Sequence, residues 1–387
     1  MNEAVSRSGP GPVMCIVGAR PNFMKMAPIL RAFAAHEPPI PALLVHTGQH
    51  YDASMSDQLF VDLQLPRPDL NLEVGSGSHA AQTAEVMKRI EPAIDEHKPC
   101  CVLVVGDVNS TLACALVAVK KGVPVVHVEA GLRSGDRRMP EEINRVLTDQ
   151  ISDRLYTTER SALANLLREG VDEARVCFAG NVMIDSLHAA RPRARSAADT
   201  LRAHGLDPVM LQSKSGYGVV TLHRPSNVDD ADTLRGLLQT LREVAQSLPL
   251  VFALHPRTRA NIERFGLAGQ IDAARMLLLP PQGYLEMLGL MAGATVVLTD
   301  SGGLQEETTA LGVPCLTLRE NTERPITVEQ GTNTMVGRDH AAIRAGVADI
   351  LAGRGKRGRV PESWDGHAAA RIADDLWRWL AGRPAAS

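Results

Sequence analysis

The residues able to do acid–base or anion chemistry are gathered in short segments that each follow an apolar run. Gly18-Ala19-Arg20-Pro21-Asn22 follows residues 13–17. Pro21 suits the first turn of a helix, which puts Arg20 beside a helix N-terminus that favours anions. Lys25 lies one turn on; alone it reads as a solvated surface residue, and with Arg20 as part of an anion site. Gly106-Asp107-Val108-Asn109-Ser110-Thr111 follows residues 101–105. Here Ser110 or Thr111 can cap the next helix, and Asp107 either projects from the strand end or braces its own loop. His127-Val128-Glu129-Ala130-Gly131-Leu132-Arg133 ends another apolar run, where a carboxylate is costly unless paired or working. Met139-Pro140-Glu141-Glu142-Ile143-Asn144-Arg145 follows; its two glutamates are either functional or simple helix-start charges.

The second half repeats the pattern with different chemistry. Thr299-Asp300-Ser301-Gly302-Gly303 stands between an apolar run and a helical stretch. Two glycines there let backbone N–H groups approach an oxyanion, so Ser301, Gly302 and Gly303 read as a diphosphate cradle. Glu306 or Glu307, one turn into the helix, can accept hydrogen bonds from ribose hydroxyls. His223-Arg224 and His255-Pro256-Arg257 close two further runs and again point to phosphate. Neither a Gly-Lys-Ser/Thr nor a G-x-G-x-x-G pattern is present, and no histidine or cysteine spacing supports a metal site. Gly75-Ser76-Gly77-Ser78 reads as a capping loop.

Strands must carry these segments. Continuous, Val- and Leu-rich runs occur at 13–17, 42–46, 101–105, 123–128 and 175–179, then at 217–222, 250–254, 276–279, 295–299 and 313–318. Runs that do not alternate mark strands covered on both faces, and intervening helices imply parallel sheets. Residues 181–205 lack strand character and read as helix, Pro/Arg-rich break and helix; 207–216 reads as a surface loop. The expected organisation is α/β: two Rossmann-like, doubly wound parallel-sheet domains facing a central cleft. One domain spans 13–180 and the other 181–366, with a closing amphipathic helix at 367–387 that packs back on the first. Ligands in such sheets bind at strand carboxyl ends.

Composition narrows the class further. The 387 residues are 44% hydrophobic and 22% charged, which excludes a disordered chain. A net charge of −3, from 41 basic and 44 acidic residues, argues against a nucleic-acid surface. The uncharged run Met287 to Thr299 falls short of the roughly 18 residues a membrane span needs. Six scattered cysteines without a C-x-x-C pair suit a reducing cytoplasm. Aromatics are only 3% of residues, so the core must be built from aliphatic side chains, and all three tryptophans (Trp364, Trp377, Trp379) fall near the end.

Taken in order, GARPNFMKMAP, GDVNSTLA, HVEAGLR, PEEINR with the following LTD, DSGGLQEE and TERP resemble the non-hydrolysing UDP-N-acetylglucosamine 2-epimerases, from about residue 13 to 380. The resemblance implies a glycosyltransferase-B-like arrangement, a homodimer, no cofactor, and interconversion of UDP-GlcNAc and UDP-ManNAc for surface polysaccharides. It further implies elimination of UDP to a 2-acetamidoglucal and re-addition. By resemblance, Asp107, Glu129 and Glu141 match the catalytic carboxylates and Lys25 the active-site lysine. Arg20, His223, Ser301 and Gly302 match diphosphate contacts, Glu307 the ribose ligand, and Arg324 a further phosphate neighbour. Met287 stands where a Phe often packs near uracil. Gln49-His50-Tyr51 and His223-Arg224-Pro225-Ser226 depart from the family's usual Gln-His-Arg and His-Arg-Arg-Glu. Both segments border a second, activating substrate site, so activation by substrate is not carried over. The alternatives are a hydrolysing 2-epimerase that releases ManNAc and a glycosyltransferase of similar architecture.

Overall fold

A computed structural model describes residues 11–48 and 53–383. The departure at Gln49-His50-Tyr51 lies outside the described residues. In the first half seven strands form one sheet: β1 (Val13–Val17), β2 (Ala42–His46), β3 (Leu70–Asn71), β4 (Cys101–Val105), β5 (Val125–Ala130), β6 (Arg154–Thr157) and β7 (Val176–Phe178). Their order is β3-β2-β1-β4-β5-β6-β7, and every pairing is parallel. The second half builds a six-stranded parallel sheet from β8 (Gly218–Thr221), β9 (Leu250–Ala253), β10 (Met276–Leu279), β11 (Val296–Thr299), β12 (Cys315–Thr317) and β13 (Asn333–Met335), in the order β10-β9-β8-β11-β12-β13. Each order reverses once, between β1 and β4 and between β8 and β11. A crevice opens outside the strand ends at such a switch point, and ligands favour it.

The continuous apolar runs are explained by burial on both faces. In the second sheet Val220, Phe252 and Leu298 join one core with Leu234, Leu237, Leu238 and Leu241 of the helix Ala231–Ala245. Their neighbours Val219, Val251 and Val297 join a separate core on the opposite face with Leu290 and Met291. Adjacent residues of a strand point to opposite sides, so an unbroken run needs cover on both.

The fold divides into two compact units, Met1–Ser186 with Asp365–Ser387, and Leu187–Trp364. The last helix, Ala368–Ala381, packs on the helix Arg20–Ala35. Asp185 caps it by accepting the N–H groups of Ala368 (3.1 Å) and Ala369 (2.7 Å). Asp375 then receives Arg154 through two bonds of 2.8 and 2.7 Å and the Tyr156 hydroxyl at 2.8 Å. Trp377 stacks near His36 with ring centres 5.5 Å apart.

Three strands were not expected from the sequence: β3, β6 and β13. Each is short or polar; β6 is Arg-Leu-Tyr-Thr and β13 is Asn-Thr-Met. Such segments pair because neighbouring strands offer them partners, not because their own pattern demands it. The helix, break and helix of 181–205 are Val182–Ala190, a 3₁₀ turn at Arg191–Arg193, and Ala197–Ala203. The loop expected at 207–216 contains a 3₁₀ turn, Pro208–Gln212. Among the described residues, no helix is long and apolar enough to cross a membrane.

Candidate active site

At the first switch point Asn22 ties the ends of β1 and β4 together. Its Oδ1 accepts the N–H groups of Gly18 (3.1 Å) and Ala19 (2.9 Å), and its Nδ2 donates to Val105 O at 2.8 Å. The helix Arg20–Ala35 starts there with Pro21 in its first turn and Arg20 exposed at its head. Lys25 is not solvated: it is only 5% exposed, and its Nζ lies 2.6 Å from Glu129 Oε2. Gly106 makes room for it. At φ +68° a side chain would be strained, and a Cβ there would stand 2.9 Å from Lys25 Nζ.

Glu129 is built into β5 by an irregularity. The register against β6 shifts between Val128 and Ala130, and Glu129 has φ +72°. A bulge re-aims a side chain at a strand end, and a left-handed glutamate costs about 1–2 kcal/mol. The aim is onto the Lys25 ammonium. Both charges are buried, so removal of either would strand the other.

Asp107 closes β4 at the same switch point. Its Oδ2 accepts Arg145 Nη2 at 2.6 Å, and its main-chain oxygen accepts Asn144 Nδ2 at 2.9 Å. The expected capping by Ser110 or Thr111 is not found. The helix Asn109–Lys120 starts after Val108 without a side-chain cap, and Thr111 Oγ1 instead donates to Val105 O at 3.1 Å. Both hydroxyl residues are buried inside the first turn, where Thr111 turns to the strand's last carbonyl.

The paired glutamates of the helix Pro140–Ile151 have separate fates. Glu142 is buried; it pairs with Arg145 Nη1 at 2.9 Å and accepts the N–H groups of Ser134 and Gly135, each at 2.9 Å. Glu141 lines a pocket of about 170 Å³ with His79, Gln82, Asn109 and Asn144. Asn109 connects these walls, donating to Gln82 Oε1 at 2.8 Å and accepting from Asn144 Nδ2 at 3.2 Å. Ser78 does cap its helix, accepting Ala81 N–H at 3.2 Å. In this unit, then, Asp107 and Glu129 stand at adjoining strand ends, and Lys25 and Glu141 near the starts of the helices Arg20–Ala35 and Pro140–Ile151. Arg145, Asn144, Asn22, His127 and Asp149 were missed; in the sequence they are unremarkable polar residues, and only distant partners give them meaning.

The switch point of the second unit carries an anchored histidine. Asp300, fully buried after β11, accepts the N–H groups of His223 (3.0 Å) and Arg224 (2.9 Å), Asn227 Nδ2 (3.0 Å) and the His223 ring Nδ1 (2.7 Å). Burial raises its pKa, yet the His223 hydrogen bond and charge, followed by these backbone donors, hold the carboxyl below its ordinary value. An ionised carboxylate accepts, so Nδ1 carries the proton and Nε2 is the ring atom left to meet a ligand. The His255 ring stands 5.6 Å away and caps its own helix by accepting Arg257 N–H at 3.2 Å.

Ser301 precedes the helix Gly302–Leu311, and its hydroxyl makes no capping bond. Its N–H donates to Thr299 Oγ1 at 3.0 Å. A Cβ at Gly302 would stand 2.6 Å from Glu323 Oε1, so this helix start tolerates only glycine without movement. Glu323 is itself held by Arg319 at 2.8 Å. Gly303 lies half-buried in the same first turn. Glu307 is buried, and burial followed by the Glu307 charge pushes the Tyr284 hydroxyl well above its ordinary value. Arg324 pairs with Glu306 at 2.9 Å, so Glu306 is committed and Glu307 is the one beside Tyr284. Met287 packs against the core that contains Leu290 and Met291. Among the described residues, no group of three or more His, Cys, Asp or Glu could hold a metal ion.

Two Rossmann-like parallel-sheet domains, one with a carboxylate–cation group at its switch point and one with an anion-type helix start, define a protein of the glycosyltransferase-B-like class. The chain belongs to the UDP-N-acetylglucosamine 2-epimerase family, whose model matches residues 34–376. It is 42% identical over 325 residues to the UDP-N-acetylglucosamine 2-epimerase of Methanocaldococcus jannaschii, covering 83% of this chain and 87% of that protein. It is 43% identical over 328 residues to the UDP-2,3-diacetamido-2,3-dideoxy-D-glucuronate 2-epimerase of Pseudomonas aeruginosa, covering 84% and 88%. The crystal structure of the M. jannaschii UDP-GlcNAc 2-epimerase in complex with UDP-GlcNAc and UDP superposes with a TM-score of 0.81 at 38% identity, over 95% of this chain and 99% of that one.

Proposed function

We propose that this chain interconverts UDP-GlcNAc and UDP-ManNAc by inverting C2 without hydrolysis. The observation that carries the reading is the first unit's ionic group: Lys25 on Glu129 and Arg145 on Asp107, both against the Gly106–Asp107 strand end. The C2 hydrogen of the substrate is not acidified by a carbonyl. The anomeric C–O bond therefore breaks first, and its electron pair leaves with UDP. The oxocarbenium-like sugar then loses its C2 proton to a carboxylate, and a C1=C2 double bond forms. Protonation on the opposite face of C2 and attack of UDP oxygen at C1 complete the inversion.

Such a route needs acid–base groups for two faces of one carbon and a clamp for the departing diphosphate. Asp107, Glu129 and Glu141 supply the first, with Lys25 in the same group. His223, Ser301, Gly302, Gly303 and Arg324, with Arg20 and His255, supply the second. Glu307 takes the ribose, and Met287 borders the base. The chain works as a homodimer in the cytoplasm, and six free cysteines support the reducing location.

The P. aeruginosa relative favours a second reading of the sugar. Its named activity is on a 2,3-diacetamido uronate, and its 43% identity to this chain is close to the 42% of the M. jannaschii UDP-GlcNAc epimerase. The C2 chemistry is the same for both substrates. Incubation with UDP-GlcNAc in D₂O is expected to give UDP-ManNAc carrying deuterium at C2. Free ManNAc would establish hydrolysis, turnover of the diacetamido uronate alone would move the specificity, and loss of neither C2 hydrogen would remove the epimerase reading.

A further inference from the structure

His127, two residues before Glu129, has no part in the reaction outlined above, yet it stands beneath both strand ends. It and Asp149 are wholly buried. Its Nε2 lies 2.8 Å from the Gly106 carbonyl oxygen, and its Nδ1 lies 2.7 Å from Asp149 Oδ1. A carbonyl oxygen only accepts, so Nε2 carries a proton. Asp149 is surrounded by donors: its Oδ2 also takes Gly131 N–H at 3.0 Å and Arg133 Nη2 at 2.7 Å. With a backbone N–H and the Arg133 guanidinium both on Oδ2, the carboxyl is held in its ionised form. An ionised Asp149 accepts as well, so Nδ1 is also protonated. Arg133 is in turn satisfied by Glu169 through its Nε at 2.8 Å.

These bonds fall on backbone next to the two reacting carboxylates. Gly106 immediately precedes Asp107, while His127 and Gly131 flank Glu129 on either side. Gly106, Glu129 and Gly131 have φ values of +68°, +72° and +79°. A glutamate does not hold such a conformation by itself; surrounding bonds must impose it. Asn165 Nδ2 holds the Gly131 carbonyl at 2.9 Å and Gly106 N–H the Val128 carbonyl at 3.1 Å; the ring and carboxylate add an ion pair that reaches from β4 to the turn after β5.

We propose that the His127 imidazolium and Asp149 form a positioning pair that fixes Glu129 and Asp107 for proton transfer at C2, without either touching substrate. The catalytic part of this rests on the epimerase reading. The state of the ring and the backbone it restrains do not, and both can be measured in the free protein.

The test uses the full chain, ¹⁵N-labelled at histidine for the ring and uniformly for the backbone, with His127→Gln and Asp149→Asn. The asparagine can still accept Gly131 N–H and can donate to Nδ1, so it keeps the shape but replaces the ion pair with weaker neutral contacts that hold the two strand ends less tightly. In the wild type the resonances lost in His127→Gln are expected to show two ring N–H groups, and Asp149→Asn to leave one. Turnover at saturating UDP-GlcNAc is expected to fall about 10²-fold in both variants, with KM and UDP affinity unchanged, as for a misplacement of about 1 Å. The Glu129 backbone shifts should move in both. A wild-type ring with a single N–H would overturn the imidazolium. Unchanged kcat and unchanged Glu129 shifts in Asp149→Asn would overturn the positioning role, as would losses that only track the fraction folded. If the wild type exchanges no C2 hydrogen, the epimerase reading fails, while the ring spectrum and Glu129 shifts still decide the pair.

Discussion

Glu129 lies in the end of a buried parallel strand and Asp300 directly after one, and both are almost completely covered, yet they are held in opposite ways. Asp300 is gripped by the N–H groups of His223 and Arg224, the Asn227 amide and the His223 ring. Its backbone is ordinary, with no positive φ at 300. Among the described residues, positive φ near the carboxylate group of the first unit occurs at Gly106, Glu129, Gly131 and Gly135, whereas residues 223–226 and 300–303 of the second have none. Glu129 faces a lysine from a strained backbone, and Asp300 acts as a fixed post for a histidine. The contrast separates two tasks. Strain is tolerated where a group must be aimed at a reacting atom, and relaxed geometry suffices where backbone N–H groups and a ring must present themselves to an anion.

The sharpest way to break that division is to neutralise the aimed carboxylate. Glu129→Gln keeps the shape and the bulge but cannot take a proton. Turnover of UDP-GlcNAc is expected to fall about 10²–10⁴-fold, the usual worth of an acid–base group, while UDP affinity in titration calorimetry stays near the wild-type value. A large loss of UDP affinity would make Glu129 a binding residue and erase the distinction between the units.

A smaller effect tests the other side. In Gly302→Ala the new Cβ meets Glu323 Oε1 at 2.6 Å, and Glu323 is pinned by Arg319, so the helix start must shift. KM and the UDP dissociation constant should rise about tenfold, about 1.4 kcal/mol, with kcat little changed. A fall in kcat at unchanged KM would place chemistry where the comparison expects only binding.

The two sheets and the residues at their switch points were legible because they rest on local signals: unbroken apolar runs, a glycine or proline at each turn, a helix start next. What supports those residues was not. Lys25 reads as a surface lysine until Glu129, more than a hundred residues away, is folded against it. His127 and Asp149, or Asp107 and Arg145, are separated by 22 and 38 residues, and nothing in either segment names its partner. The same holds for β6, whose Arg154 needs Asp375 from the last helix before its strand can be buried. Ser110 and Thr111 show the converse error. They have the residue types of caps, but the Val105 carbonyl competes for the threonine hydroxyl and wins.

The smallest expected effect isolates strain from charge. Glu129→Ala and Glu129→Gly both delete the carboxylate and leave Lys25 without it, so both should be destabilised. They differ in the backbone: alanine must still hold φ +72°, which costs about 1–2 kcal/mol, and glycine need not, though its unfolded chain is freer by about 0.5–1 kcal/mol. In urea denaturation Glu129→Gly should therefore be the more stable variant, by about 1 kcal/mol or somewhat less. At Asp300, where no left-handed conformation is held, the same pair of substitutions should reverse order, the alanine being the more stable. Equal ordering at both sites would mean that Glu129 relaxes once its side chain is gone. The strain would then belong to the Lys25 contact and not to the bulge.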